Sequence, residues 1–307
     1  MQQKYTYNRL NYMLYNKYIS CIIKGMRYTV KQFQADFPTD DACLDAIFQN
    51  RYGDVDTCPK CGVVDTKFYK VANRKCYACM HCGYQLHPLA QTIFHKSATP
   101  LTSWFYAIYL FSISKNGVAA KELERHLGVT YKTAHRMAAQ IRKLMEQDGD
   151  PLCGEIEVDE TYIGGKRRMA SMYNNKSVVF GMVERDGVAK AKHVKSAGVR
   201  VLIPEIHQGI ELGANIHSDE ARVYTKLSQQ GYTHTTVNHS KLEYVRGTAH
   251  TNTIEGFWSQ LKRSIDGTYH AVSPKYLQSY VNEFTFRYNY RGVIAYPALL
   301  EQASKPF

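Results

Sequence analysis

Four cysteines in two closely spaced pairs constrain the fold of this chain more than any other feature of its sequence. Cys58 and Cys61 form one C-x-x-C pair, Cys79 and Cys82 form a second, and 17 residues separate the pairs. Each pair turns the backbone so that two thiolates point at one centre, and four sulfur ligands close a tetrahedron. This spacing predicts a zinc ribbon with a structural Zn²⁺ ion.

Other side chains in the same segment are weaker candidates for this metal. Cys76 and His81 lie close enough to compete, but the paired spacing favours Cys79 and Cys82. Clustered cysteines in a protein without a signal peptide indicate metal ligands rather than disulfides. We therefore expect the remaining cysteines to be ordinary thiols.

The charge of the chain indicates a polyanionic partner. Lys and Arg number 39 and Asp and Glu 27, which leaves a net charge of +12 and an isoelectric point near 9.2. A protein this basic usually binds nucleic acid, although charge that merely keeps a protein soluble is the alternative. The longest apolar run, residues 104–113, is about half the length of a membrane-spanning helix. We therefore expect a cytoplasmic protein with no membrane partner.

A helix-turn-helix pattern occupies residues 119–145. One helix ends near Leu127, Gly128 supplies the turn, and Thr130 can cap the following helix. A plain helical hairpin would give the same pattern, but the cysteine motif and the net charge favour DNA binding. The side chains predicted to contact DNA are Lys132, His135, Arg136 and Arg142.

From residue 154 the sequence changes to strand patterns. Short apolar and β-branched runs predict strands at 155–165, 177–185, 188–194, 214–219 and 232–238. A helix is predicted at 199–212, and further helices end the domain near 250–265 and 274–290. Three antiparallel strands, a helix, a strand and then helices predict a mixed α/β sheet flanked by helices.

Three acidic residues lie on elements that can meet at one edge of this sheet. Asp159 lies in the first strand, Asp219 at the end of the fourth, and Glu255 on the helix that follows. That helix has one apolar stripe, formed by Ile254, Phe257, Trp258, Leu261 and Ile265. Glu255 and Lys262 lie on the flank of the stripe. Taken singly, each acidic residue is better interpreted as an ordinary surface residue, but their order favours a site.

Converging carboxylates require cations, and oxygen ligands select Mg²⁺ or Mn²⁺. Two such ions about 4 Å apart support phosphoryl transfer without a covalent nucleophile. A basic loop after the first strand is a candidate phosphate contact, with a solvated turn as the equal alternative; it contains Lys166, Arg167 and Arg168.

Several longer motifs resemble those of a known family. They are E-V-D-E-T-Y-I-G-G-K at 157–166, I-H-S-D at 216–219, H-T-N-T-I-E-G-F-W-S-Q-L-K-R at 250–263, G-T-Y-H-A-V-S at 267–273 and L-A-Q-T-I-F-H-K-S-A-T-P-L at 89–101. They resemble bacterial insertion-sequence transposases of the DDE type, in the ISXO-like branch that carries an N-terminal zinc ribbon. The resemblance covers about residues 26–295 and implies a ribonuclease H-like catalytic core.

The resemblance also implies roles for individual residues. Asp159, Asp219 and Glu255 would bind the catalytic Mg²⁺ or Mn²⁺ ions, and Lys262 would contact DNA near the cut. Arg263, beside it, is a further candidate DNA contact. Asn252, one turn before Glu255, is the alternative third ligand, the N-cap of the helix, or a partner of a ligand.

The domains expected from these patterns follow the order of the motifs. They are a leader at 1–25 that is disordered or a mis-called start before Met26, a short helical segment at 26–57, the zinc ribbon at 58–95, the helix-turn-helix domain at 96–148, the ribonuclease H-like catalytic domain at 152–295 and a C-terminal tail at 296–307.

The expected function is that of a bacterial, nucleoid-associated DNA transposase. It would bind the terminal inverted repeats of its element, hydrolyse the element ends and join the 3′-hydroxyls to target DNA. Because two ends must be held together, we expect a homodimer or larger assembly on double-stranded DNA. The alternatives are a catalytically silent DNA-binding regulator and a stand-alone ribonuclease H-like nuclease. The intact acidic residues weigh against the first, and the N-terminal DNA-reading modules weigh against the second.

Overall fold

The computed structural model describes residues 28–164, 176–219, 221–236 and 250–307. The chain divides into two compact units. Within the described ranges, the first contains residues 28–114, 120–144 and 292–307, and the second contains the rest. The predicted leader and the basic loop with Lys166, Arg167 and Arg168 lie outside the described residues.

The first unit combines a small antiparallel sheet with helices. The helices are α1 (Val30–Asp36), α2 (Asp40–Tyr52), α3 (Leu101–Ile113), α4 (Ala120–Leu127) and α5 (Tyr131–Leu144), and the sheet contains β1 (Phe68–Lys70), β2 (Tyr77–Cys79) and β3 (Gln85–Leu86) in that order. The predicted turn between α4 and α5 is confirmed: Gly128 has a φ of +63°, and the Thr130 hydroxyl accepts the backbone N–H of Thr133 at 3.3 Å.

The second unit is built on a five-stranded mixed sheet. Its strands are β4 (Glu155–Ile163), β5 (Ser177–Glu184), β6 (Ala189–Val194), β7 (Asn215–Ser218) and β8 (Thr233–Thr236), in the order β6-β5-β4-β7-β8. Strands β4, β5 and β6 pair antiparallel, whereas β7 is parallel to β4 and β8 is parallel to β7. Its helices are α6 (Val199–Gly209), α7 (Asn252–Ser264) and α8 (Leu277–Asn289). This is the predicted ribonuclease H-like mixed sheet flanked by helices.

Alternating side chains of β4 face two separate cores. Ile156 and Val158 pack in one core with Leu202 and Ile206 of α6. Because successive side chains of a strand point to opposite faces, Glu157 and Asp159 face the other side, where α7 packs. The apolar stripe predicted for α7 forms the second core together with β5, and all five of its side chains are at most 5% exposed. The buried stripe fixes α7 on the face of the sheet that carries Asp159.

The C-terminal residues belong to the first unit. The sequence assigns residues 296–307 to a tail, but Tyr296–Ser304 forms a helix, α9, that packs on α2, α3 and α5. Its buried residues Tyr296, Leu299, Leu300 and Ala303 recur at helical spacing, so a single apolar stripe holds this short helix in the core. Within the described ranges, no helix has the length and hydrophobicity needed to cross a membrane.

Candidate active site and zinc ribbon

The four paired cysteines form one compact cluster in the first unit. The Sγ atoms of Cys58 and Cys82 are 3.7 Å apart, those of Cys61 and Cys79 are 4.0 Å apart, and all four lie within 4.8 Å of one another. Zinc–sulfur bonds of about 2.3 Å in a tetrahedron separate the sulfurs by about 3.8 Å. The cluster therefore has the dimensions of a structural zinc site, as the spacing predicts.

The surroundings of Cys79 favour its thiolate form. The Thr66 hydroxyl lies 3.4 Å from the sulfur of Cys79, and this contact, followed by backbone N–H groups, lowers the pKa of Cys79 to about 6. Cys76 is buried away from the cluster, where its thiol donates to Gln85 Oε1 at 3.5 Å. Neither Cys76 nor His81 belongs to the four-ligand group. The cluster therefore contains the four paired cysteines that the sequence favours.

In the second unit, the pairing register of β4 and β7 places Asp159 and Asp219 at neighbouring positions across the two strands. Strands β4 and β7 pair Glu155 with Asn215 and Glu157 with His217, an offset of 215 − 155 = 60 residues. Extended by two residues, the same offset places Asp219 (159 + 60 = 219) level with Asp159, one residue after β7 ends, and the charge of Asp219 acts on the pKa of Asp159. Two carboxylates thus lie side by side at neighbouring strand positions.

The electrostatics of Asp159 reflect this arrangement. Burial, followed by the charges of Glu160 and Asp219, raises the pKa of Asp159 to about 7, against a smaller lowering by hydrogen bonds. One of those bonds comes from the indole N–H of Trp258, which donates to Asp159 Oδ2 at 3.0 Å. A partly buried carboxylate beside a second carboxylate favours a nearby cation, and oxygen ligands suit Mg²⁺ or Mn²⁺.

A glycine in β5 allows Trp258 to reach Asp159. Gly181 pairs with Asp159 across β4 and β5, and a Cβ atom added there would lie 2.6 Å from two ring carbons of Trp258. Without that atom, the indole lies directly over the strand. The sequence places Trp258 in the apolar stripe, but its hydrogen bond joins residues 99 positions apart and has no local signal.

Helix α7 carries the other predicted active-site residues on its surface. Glu255 is exposed in the first turn, and its Oε1 accepts the Thr251 hydroxyl at 3.1 Å. Thr251, and not Asn252, is the N-cap residue, while Asn252 is the exposed first residue of the helix. Glu255 lies three residues before Trp258, so it neighbours on the helix surface the side chain that contacts Asp159. Lys262 is exposed two turns further along.

The carboxylate oxygens of Asp159, Asp219 and Glu255 do not all lie within 4.8 Å of one another. In the described part of the chain, the only group of at least three metal-ligand atoms within 4.8 Å of one another is the cysteine cluster. The structure therefore brings Asp159 and Asp219 together and places Glu255 on the helix that contacts Asp159.

The predicted DNA-contacting residues separate into exposed and buried ones. On α5, the side chains of Lys132, His135 and Arg136 are exposed, and so is Arg263 on α7. Arg142 does not fit its predicted role as a DNA contact. Its side chain is 3% exposed, and its guanidinium lies 5.4 Å from the centre of the Phe111 ring. The reason is its position on the core-facing side of α5, four residues after the buried Ala138.

One buried acidic residue near the site was not predicted. Glu157 is fully buried on β4, two residues before Asp159 and on the same face. Its polar partners lie in other elements, so only the alternation of acidic residues in E-V-D could have indicated it. Glu157 contacts the first turn of α7.

A ribonuclease H-like sheet with two aspartates at neighbouring strand positions, together with a four-cysteine cluster, is the architecture that the sequence predicts for a zinc-ribbon transposase. Comparison with protein families identifies two domains. Residues 151–289 match the model of the ISXO2-like transposase domain, and residues 38–85 match that of the transposase zinc-ribbon domain. The chain therefore contains an ISXO2-like transposase domain, preceded by a transposase zinc-ribbon domain.

Two further proteins are similar to this chain. An uncharacterized protein in the transposable element ISH50 of Halobacterium salinarum is 25% identical over 276 residues, which cover 82% of this chain and 91% of the relative. A solved intasome of simian T-cell lymphotropic virus, in complex with PP2A regulatory subunit B56 gamma, matches with a TM-score of 0.30 and 19% identity. That match covers 59% of this chain and 65%, just under two thirds, of the other.

Proposed function

We propose that this transposase binds the terminal inverted repeats of its own insertion sequence, cuts the DNA at the element ends and joins the free 3′-hydroxyls to target DNA. The observation that carries the proposal is the level placement of Asp159 and Asp219 on neighbouring strands of an ISXO2-like transposase domain. It is supported by the exposed Glu255 on the helix that packs over the same face.

The acidic side chains would hold the catalytic cations. The carboxylates of Asp159, Asp219 and Glu255 supply oxygen ligands, and the raised pKa of Asp159 indicates a site that a cation would stabilise. Two bound Mg²⁺ or Mn²⁺ ions supply activation of the attacking oxygen and stabilisation of the leaving oxygen.

Neighbouring residues of the chain would orient these ligands and the DNA. The indole N–H of Trp258 fixes one oxygen of Asp159, and the Thr251 hydroxyl fixes one oxygen of Glu255. Lys262 and Arg263, exposed near the end of α7, would contact phosphates of the DNA backbone.

The first unit would recognise the element ends. The exposed side chains of Lys132, His135 and Arg136 occupy the second helix of the helix-turn-helix, which is the helix that reads the major groove in this motif. The zinc ribbon, closed by Zn²⁺, would add a second DNA-binding module. We propose that the protein acts on double-stranded DNA in the bacterial cytoplasm as a dimer or larger assembly, because two element ends must be held together.

A strand-transfer assay tests this function. Purified protein is incubated with labelled element ends, target DNA and Mg²⁺ or Mn²⁺, and end binding is measured separately. The wild type should cut the ends and join them to the target, whereas Asp159→Asn and Asp219→Asn should bind ends but not cut them. A wild type that binds ends and never cuts supports a silent regulator. One that cuts without joining supports a stand-alone nuclease.

The same assay decides the third ligand. Glu255→Gln should abolish cleavage if Glu255 binds the ion, because an amide is a much weaker ligand than a carboxylate. Asn252→Ala should then retain cleavage, since Asn252 is neither the N-cap nor a metal ligand. The reverse pattern would transfer the role to Asn252.

A further inference from the structure

A fully buried carboxylate links the central strand to the helix that carries Glu255. The side chain of Glu157 is 0% exposed, and it lies two residues before Asp159 on β4. Alternate residues of a strand share a face, so Glu157 and Asp159 both point toward α7.

Glu157 contacts the first turn of that helix. Its Oε2 accepts the backbone N–H groups of Thr253 at 2.8 Å and Ile254 at 3.0 Å, and its Oε1 accepts the Thr253 hydroxyl at 3.0 Å. The first N–H groups of a helix have no partner within the helix, and a carboxylate at this end is also favoured by the helix dipole. The N-cap residue Thr251 makes no capping bond with its own side chain, so a strand residue caps the helix.

Arg185 compensates the charge of Glu157, and His250 lies beside the same carboxylate. Arg185 Nε donates to Glu157 Oε1 at 2.8 Å, and His250 Nδ1 lies 3.0 Å from the same oxygen. Arg185 also donates through Nη2 to the backbone carbonyl of His250 at 2.8 Å. The segment that enters α7 is therefore tied to the same carboxylate as the helix itself.

Two contacts thus hold α7 along β4. Glu157 binds the helix at Ile254, and Asp159 binds it at Trp258. Two strand residues span about 7 Å and four helix residues span about 6 Å, so the spacing of the two contacts along β4 matches their spacing along α7. Glu255 lies between the two attachment points.

We propose that Glu157 is a positioning residue: by capping α7 it sets where Glu255 stands relative to Asp159, and so determines how tightly the site binds its cations. This inference rests on the proposed function for its effect on cleavage, but the capping contact can be tested without it.

The competing interpretation is that Glu157 only stabilises the fold, as many buried ion pairs do. The second unit contains a matched control. Glu283 on α8 is 2% exposed, accepts the Tyr269 hydroxyl at 2.8 Å and accepts Arg287 Nη2 at 2.7 Å. Glu283→Gln removes an equally buried, ion-paired charge from a helix that carries none of the predicted ligands.

Cleavage as a function of cation concentration separates the two interpretations. The full-length, zinc-containing variants Glu157→Gln, Glu157→Ala and Glu283→Gln are compared with the wild type well below their unfolding temperatures. The Glu157 variants should need about 10- to 100-fold more Mg²⁺ or Mn²⁺ for half-maximal cleavage, as expected when a residue that orients ligands is lost. Glu283→Gln should keep the wild-type cation dependence. Equal shifts in both positions, or no shift for Glu157→Ala, would overturn the proposal.

Hydrogen exchange tests the capping contact independently of catalysis. Glu157→Ala should speed exchange in peptides that contain the amides of Thr253 and Ile254, and Glu283→Gln should leave these peptides unchanged. If the wild type never cuts DNA but this exchange pattern is found, the proposed function fails and the capping role stands. If exchange at these amides is unchanged by Glu157→Ala, the positioning role is refuted whatever the cleavage activity.

Discussion

Replacing Asp159 with asparagine should stabilise the metal-free protein while it removes activity. Burial, with the charges of Glu160 and Asp219, raises the pKa of Asp159 from 3.8 to about 7. The unfolded chain therefore releases this proton near pH 4, whereas the folded protein retains it until about pH 7. The Asp159 carboxyl therefore does not affect the free energy of unfolding below about pH 4, and it lowers that free energy progressively as the pH rises toward 7.

The size of the effect follows from the two pKa values. The interval from 3.8 to about 7 corresponds to roughly 4 kcal/mol of lost stability at pH 8 and to under roughly 2 kcal/mol at pH 5. Asparagine has nearly the same volume and can still accept the Trp258 N–H bond. Because its amide must also leave water, we expect a gain of about 2–4 kcal/mol at pH 8.

Denaturant unfolding at several pH values measures this gain. The full chain is unfolded in buffer that lacks Mg²⁺ and Mn²⁺ but leaves zinc bound, and fluorescence reports Trp258 in the second unit and Trp104 in the first. The advantage of Asp159→Asn should shrink from pH 8 to pH 5, and the exposed Asp266→Asn should show none. Added Mg²⁺ or Mn²⁺ should stabilise the wild type, by about 2.7 kcal/mol at 100 times its Kd, and not Asp159→Asn. Equal stability at pH 8, or an advantage independent of pH, would refute the reasoning.

Three further changes test other parts of the structure. Gly181→Ala should destabilise the second unit by about 1–3 kcal/mol in denaturant unfolding and reduce cleavage, because its Cβ would press on the Trp258 ring. Cys58→Ser should lower the zinc content measured by atomic absorption, because Cys58 belongs to the four-sulfur cluster. Cys76→Ser should leave the zinc content unchanged, because Cys76 lies outside the cluster. Lys132→Ala should weaken binding to element ends. In a salt titration, the slope of log affinity against log salt concentration should fall by about one, the value expected for the loss of one phosphate contact.

Each of these expectations has a contradicting result. Wild-type stability for Gly181→Ala would mean that the indole does not need the open space over β5. Unchanged zinc in Cys58→Ser, or zinc loss in Cys76→Ser, would reassign the ligands. An unaltered salt dependence for Lys132→Ala would remove this residue from the DNA-contacting surface.

The features that the sequence predicts well are those encoded over short distances. The C-x-x-C pairs define the cysteine cluster because each turn needs only four residues, and the spacing of five apolar residues defines the buried face of α7. The closeness of Asp159 and Asp219 agrees with the sequence because both lie in or at the end of predicted strands that can meet at one edge of the sheet.

The features that the sequence does not predict depend on contacts between distant segments. Arg142 lies at the border of the α5 surface, and only the packing of Phe111 against it shows that the guanidinium is buried. Residues 296–304 are too short to reveal by themselves that their stripe is buried by α2, α3 and α5. Glu157 and the helix amides that it caps are separated by 96 and 97 residues, so no local pattern marks the contact.

The two acidic residues on this face of β4 show how one strand can supply both a structural and a chemical carboxylate. The negative charge of Glu157 is balanced by hydrogen bonds from helix N–H groups and from Arg185, and His250 also contacts the carboxylate. Asp159, two residues later, accepts hydrogen bonds from the Trp258 indole and the Glu160 backbone, and it has further negative charge beside it. Within the described ranges, it has no basic partner among its main electrostatic influences. The protein neutralises the first charge itself, so that carboxylate can hold the fold together. It leaves the second charge largely uncompensated, and we infer that this difference assigns cation binding to Asp159 rather than to Glu157.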